Sequence, residues 1–233
     1  MRLPGVPPRV IVLRPAVTSH TAAMTYPARR SAGLFLVLSG PSGAGKSTLI
    51  QHFLAGHPQF VRCLSVTTRA PRGQECEGVD YFFTDAEAFR RRAAAGEFLE
   101  HAEVFGRFYG TPRSFVTDHL AAGRGVIKDM DVQGAATLRQ TFPEAVQVFT
   151  APADRAEIER RLRSRGTDSD DVIACRLAEA DAELAQWRRY DYLVINDDLE
   201  RAVADLAAIV RAELTAVVGS RGRGVAGSTA DNH

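Results

Sequence analysis

The chain has 233 residues, 45% of them hydrophobic and 24% charged, the texture of a globular protein with room for one generous domain. A net charge of +1 gives no case for a global nucleic-acid-binding surface, so basic sites have to be sought in local arginine clusters. No apolar run reaches the about 18 residues a membrane span needs, and Cys63, Cys76 and Cys175 lack metal-like spacing, which points to reduced thiols and a cytoplasmic chain.

Residues 1–31 read as a disordered extension: "VIVL" is too short for a signal-peptide core and Arg14-Pro15 follows it directly, with Met24 a candidate start just ahead of the domain. The domain occupies residues 32–216, and 217–233 read as a disordered tail. Residues 34–39, "LFLVLS", suit a buried parallel strand. A glycine-rich turn and a helix over 45–54 follow and begin a βαβ unit. A short strand is expected over 62–68. From residue 70 to 110 short aromatic strands surround one helix near 85–95, the pattern of a small α+β insertion. Then come a helix over 114–122, a strand over 125–130 ending in "DMD", a helix over 133–140 and a strand over 145–149. Helices over 154–164 and 170–187, a strand over 192–195 and a closing helix over 199–216 complete the chain. Strands alternating with helices imply a parallel sheet covered on both faces.

"GPSGAGKS" (40–47) fits G-x-x-x-x-G-K-[ST] between a predicted strand and a predicted helix. Its glycines let backbone N–H groups face phosphate oxygens, the helix N-terminus adds a favourable dipole, Lys46 supplies charge to β/γ phosphates and Ser47 can bind Mg²⁺. In "SVTTRAPR" (65–72), Arg69 and Arg72 flank a proline; they suit a terminal phosphate after a phosphate loop, with solvated loop arginines as the alternative. Glu100 follows two apolar residues, and a buried carboxylate wants a partner. Guanine N1–H and N2–H₂ are adjacent donors that match it, whereas adenine lacks that pair; a helix-end or salt-bridge acid is the other reading. Asp129 sits where an acid would steer Mg²⁺ through water, and Asp131, two residues on, is expected on the same side or as a cap of the next helix. Arg161 and Arg165 share a helical face and Arg176 returns from the next helix, a hairpin with inward arginines; Arg160 and Arg163 read as a solvated face.

Together "GPSGAGKST", "TTRAPR", "GVDYFF", "EFLEHAEVFGRFYGT" and "DMDVQG", in this order, resemble the bacterial-type guanylate kinases of the P-loop nucleoside monophosphate kinase family, over about residues 34–214. The resemblance implies an α/β fold: a three-layer α/β/α parallel-sheet core, a small α+β GMP-binding insertion at about 65–112 and a helical lid at about 155–180. It implies transfer of the γ-phosphoryl of ATP to GMP or dGMP, with Mg²⁺ accompanying ATP as co-substrate. ATP would be bound by Gly40, Pro41, Ser42, Gly43, Ala44, Gly45, Lys46, Ser47 and Thr48, with Asn196 on the adenine side. The GMP phosphate would fall to Ser65, Arg69, Arg72, Tyr81 and Tyr109, and the guanine to Glu100, Thr111 and Asp131. Lys46, Arg69, Arg161, Arg165 and Arg176 would carry catalysis, and Ser47 with Asp129, through water, the metal. The implied partners are these nucleotides, without nucleic acid or membrane, in a monomer or homo-oligomer. A non-catalytic phosphopeptide-binding module of the same family and a sugar-phosphate kinase are the alternatives; the retained Lys46, Ser47 and arginines speak against the first and the guanine readers against the second.

Three departures from the family pattern stand out. "PRGQE" displaces a glycine by one position after Arg72, Lys128 interrupts an otherwise apolar strand, and the extension before Ser31 has no counterpart. Lys128 could neutralise Asp129 or reach a phosphate.

Overall fold

The computed structural model describes residues 11–12, 33–104, 106–164 and 170–215. Its core is a six-stranded sheet in the order β1-β10-β9-β2-β8-β3. The strands are Ile11–Val12 (β1), Phe35–Ser39 (β2), Phe60–Arg62 (β3), Gly125–Asp129 (β8), Val146–Ala151 (β9) and Tyr192–Ile195 (β10). All are parallel except β1, which pairs antiparallel with β10. That strand corrects the expected disorder of residues 1–31 for two residues: β10 would otherwise leave a row of unpaired backbone groups at a sheet edge, and Ile11–Val12 take them up. The remainder of 1–31, apart from these two residues, and the tail at 217–233 lie outside the described residues.

Period-2 alternation sends successive side chains to opposite faces. Leu34, Leu36, Leu38 and Ile127 pack with Leu49, Ile50 and Phe53 of Lys46–Gly56 (α1) and with Leu206, Ile209 and Val210 of Leu199–Thr215 (α7). Phe35, Val37 and Val126 face the other way, onto Val116 of Arg113–Ala121 (α3) and Leu138 of Val132–Thr141 (α4). Arg155–Ser164 (α5) and Asp170–Leu184 (α6) bury Ile158, Leu162, Ile173 and Leu177 against Phe149 and Leu193. Helices on both faces of a parallel sheet are the expected α/β arrangement.

A second sheet, in the order β5-β4-β7-β6, comprises Val66–Thr67 (β4), Phe82–Phe83 (β5), Phe98–Val104 (β6) and Arg107–Pro112 (β7). Ala86–Ala94 (α2), capped by Asp85 through the Ala88 N–H, covers it with Phe89 stacked on Phe98. The single strand expected over 62–68 is corrected to two: β3 ends in the core sheet and β4 begins in the second, so residues 63–65 carry the chain from one body to the other. α6 ends at Leu184, before the expected limit, and Trp187–Arg189 form a separate 3-10 turn.

Candidate active site

Ligand sites in parallel sheets gather beyond the carboxyl ends of strands, and β2, β8 and β10 all deliver polar residues there. The turn after β2 has Gly40, Gly43 and Gly45 at φ of 140°, 85° and 82°, in the region that favours glycine. A Cβ on Gly40 would run into the Thr150 carbonyl, and one on Gly45 into the Asn196 amide. Lys46 curls back over the turn, donating to the carbonyls of Gly40 at 2.6 Å and Pro41 at 3.0 Å. Buried Asn196 donates to the Ala44 carbonyl at 2.8 Å and so holds the turn's outer wall. Arg161 completes it, donating to the carbonyls of Gly43 (3.3 Å) and Asn196 (3.0 Å) and to Glu157, and burial pulls its pKa below the ordinary arginine value. Ser42 lines the cleft in front of this turn, and Thr48 lies exposed in the first turn of α1.

Adjacent residues of β8 leave its end on opposite faces. Asp129, on the α1 side, accepts from the Ser47 hydroxyl at 3.4 Å and from Arg62 at 3.3 Å. Lys128, on the other side and 2% exposed, reaches the segment that joins the two sheets, where Nζ donates to Ser65 Oγ at 2.6 Å. This answers what Lys128 does in an apolar strand: its partner is Ser65, while Asp129 is held by Ser47 and Arg62. The Cys63 thiol below is pushed up to about 11 by burial and stays protonated.

A cleft of about 410 Å³ lies between the core and the second sheet, bounded by Lys46, Ser65, Glu100, Tyr109, Lys128 and Asp131, with Tyr81 and Asp129 also on its walls. Tyr81 and Tyr109 meet edge to face at 6.3 Å, and burial raises the Tyr81 phenol above its ordinary value. Arg69 stacks behind Tyr81 at 5.1 Å and gives both arms of its fork to Glu75, at 2.8 and 2.9 Å, which raises the guanidinium pKa further. Glu75 is held well ionised by Arg69 first and by the Arg72 backbone N–H second, in a loop that turns at Gly73 with φ 54°. Neither arginine bounds the cleft: Arg69 is buried behind Tyr81, and the Arg72 side chain is exposed.

At the far end Glu100 is 9% exposed and accepts from Thr111 Oγ1 at 2.5 Å. Burial raises its pKa, Thr111 and Lys128 pull it down, and the Asp131 carboxylate pushes it up. Asp131 caps α4 through the Gly134 N–H at 2.7 Å. That is the capping role expected as the alternative for it, and with β8 ending at Asp129 the two carboxylates line the same cleft from different elements. Gly134 has no Cβ to separate Asp131 from Glu100: one would sit 3.3 Å from Asp131 Oδ1 and 3.5 Å from Glu100 Oε2.

Arg176 stands half-buried on α6, and Arg165 lies outside the described residues. Sequence reasoning did not find Arg62, Glu75, Glu157 or Glu183. Glu157, four residues before Arg161, carried an i,i+4 signal. Glu183 lines the cleft with its pKa raised by burial, and it and Arg62 reach the site only through the fold.

Residues 33–213 match the family model described as guanylate kinase. The guanylate kinase of Myxococcus xanthus is 50% identical over 182 residues, 78% of this chain and 87% of that protein. The guanylate kinase of Escherichia coli K12 is 47% identical over 183 residues, 78% and 88% of the two chains. Among solved structures, guanylate kinase from Anaplasma phagocytophilum superposes with a TM-score of 0.67 at 35% identity, covering 83% of this chain and 92% of that one.

Proposed function

This chain belongs to the guanylate kinase family, and from that premise we propose that it transfers the γ-phosphoryl of ATP to GMP and dGMP, yielding ADP and GDP or dGDP in purine nucleotide metabolism. The observation that carries the reading is the buried Glu100 carboxylate facing into the same cleft as Lys46: a guanine reader and a phosphate-loop cation about one cavity. The donor nucleotide is assigned to residues 40–48, with Asn196 and Arg161 on its outer wall. The acceptor phosphate is assigned to Ser65, Tyr81, Tyr109 and Arg69, and Arg72 would have to move inward to join them. Glu100, Thr111 and Asp131 are assigned to guanine.

The acceptor oxygen is already largely ionised at neutral pH, since a phosphate monoester loses its second proton near a pKa of about 6. No general base is required. The oxygen forms a bond to the γ-phosphorus as the bond to the bridging oxygen of ADP breaks. The protein's task is to hold two mutually repelling anions in line and to stabilise the charge between them. Lys46, Arg69, Arg161, Arg165 and Arg176 are the cations assigned to it. The Ser47 hydroxyl and Asp129 carboxylate, 3.4 Å apart, are hard oxygen donors of the kind Mg²⁺ accepts alongside nucleotide phosphates. Mg²⁺ brought with ATP would be held by Ser47 and, through water, by Asp129, supplying charge to the β and γ oxygens. Among the described residues no helix is long and apolar enough to cross a membrane, and Cys63, Cys76 and Cys175 are free thiols, which supports a cytoplasmic setting.

Coupled ADP release with GMP, dGMP, AMP and ribose 5-phosphate as acceptors tests the reading. GMP and dGMP are expected to be turned over, AMP and ribose 5-phosphate to give background, and Lys46→Met to lose several orders of magnitude with its fold intact. Equal rates with every acceptor would sink it.

A further inference from the structure

Lys128 is a fully buried ammonium with three N–H donors and no acceptor of its own. Its hydrogen-bond partner is the neutral Ser65 hydroxyl at 2.6 Å. Neither nearby carboxylate is hydrogen-bonded to it: Asp129 is held by Ser47 and Arg62, and Glu100, paired with Thr111, feels Lys128 only through space. Taking an ammonium out of water is costly unless an anion meets it, and hydroxyl oxygen alone is a poor substitute. Nothing in the packing of the sheet calls for a lysine here. Val126, two residues earlier on the same face, is an ordinary apolar core position, and Leu or Met would continue the row. The Lys128 side chain instead bounds the cleft, hydrogen-bonded to Ser65 and close enough to Glu100 to help lower its pKa.

We propose that Lys128 is a further ligand of the acceptor phosphate, a buried cation that meets the GMP phosphate together with the Ser65 hydroxyl it already holds. The inference rests on the reading of this cleft as the GMP site. It adds a positive charge where that site is otherwise thin. Arg69 is paired with Glu75, Arg72 is exposed and neither bounds the cleft, so the cation beside Ser65 comes from the core sheet and not from the arginine loop. Because the lysine is rooted in β8, one residue before Asp129, it also fixes the acceptor relative to the donor's phosphate loop, since β2 and β8 are neighbouring strands. A lysine has no acceptor atoms, so it favours a phosphorylated nucleoside over the nucleoside itself.

The test is Lys128→Met, with Lys128→Gln beside it, assayed for GMP, ATP and guanosine. Because Lys128 also helps lower the pKa of the buried Glu100, thermal midpoints are measured alongside, so that a loss of fold is not read as a loss of binding. KM for GMP should rise about 10- to 100-fold, the usual range for losing a hydrogen bond to a charged group. KM for ATP and inhibition by guanosine should stay within about twofold, and Lys128→Gln should fall between Met and Lys. An unchanged KM for GMP would overturn the proposal. So would equal losses for GMP and guanosine, which would make Lys128 a counter-charge for Glu100 or a ligand of the base. A wild-type protein that fails to turn over GMP would instead refute the function proposed above, which keeps the two failures apart.

Discussion

At the scale of single residues the site is held together by charges placed where they are expensive. Glu100 is the clearest case, because burial raises its pKa and so favours its neutral form in the folded chain. An acid raised in this way costs nothing below the unfolded chain's pKa, and stability is lost as the pH climbs through the folded value. Once the pH has passed that value the wild type carries a carboxylate the fold would prefer protonated, and what it gains is an acceptor for two guanine N–H donors. Glu100→Gln should denature at or above the wild-type midpoint near neutral pH, with the difference vanishing in acid, as followed by urea titration. The same substitution should weaken competitive inhibition by guanosine, which isolates the base from the titrating phosphate. In the wild type that inhibition should fade on acidification at a pH above the ordinary carboxylate range, and in Glu100→Gln it should be weak and flat. A less stable variant at neutral pH, or a flat wild-type profile, would contradict the role. The carboxylate was legible from two apolar neighbours in the sequence. Its partners were less so: Lys128 meets Ser65 across 63 positions and Arg62 meets Asp129 across 67, separations at which no local pattern survives.

Elements explain why some of these residues serve two purposes. Asp131 begins α4, and its Oδ1 is committed to the Gly134 N–H, so only the remainder of its carboxylate is left for a ligand. Asn preserves a capping oxygen but turns donors toward the donor edge of guanine, whereas Ala removes both functions. Asp131→Asn should change stability by less than about 0.5 kcal/mol and Asp131→Ala should cost about 1 kcal/mol. Both should raise KM for GMP, with Asn the informative one; if Asn matches the wild type, Asp131 is a cap alone. Helices and core strands were readable to within a few residues because their periodicity and end signals are local: the glycine turn before α1, Asp85 before α2, Pro143 after α4. What was not readable is the change of sheet between β3 and β4. "RCLSVTT" has no glycine or proline to mark it, and only the partner strands, β8 on one side and β7 on the other, decide where one strand ends and the next begins. That crossing is what sets Ser65 opposite Lys128.

For the whole molecule the two sheets differ in how much holds them. The core sheet is covered on both faces by broad apolar clusters, while the second sheet rests on Val66, Phe89 and Phe98 with a few half-buried neighbours. Local opening should follow that difference, with the amides of β4–β7 exchanging faster than those of β2, β8 and β9. The second sheet is tied to the core through the Thr141 hydroxyl donating to the Leu99 carbonyl at 2.6 Å, the Lys128–Ser65 contact and the close approach of Gly134 to Glu100. A ligand that bridges core and second sheet should therefore stabilise the weaker body selectively, because binding protects only those openings that break the site. GMP alone should slow hydrogen exchange at Tyr109 and Thr111 in β7 and leave the core strands unchanged. ATP alone should slow α5, where Arg161 already leans on the phosphate loop, and leave β7 unchanged. With an unreactive ATP analogue and GMP together, protection in both regions should exceed that given by either ligand alone, since closing the cleft around one anion presents its cations to the other. Uniform protection across both sheets, or protection of β7 by the ATP analogue alone, would mean that the donor and acceptor halves do not close as separate bodies.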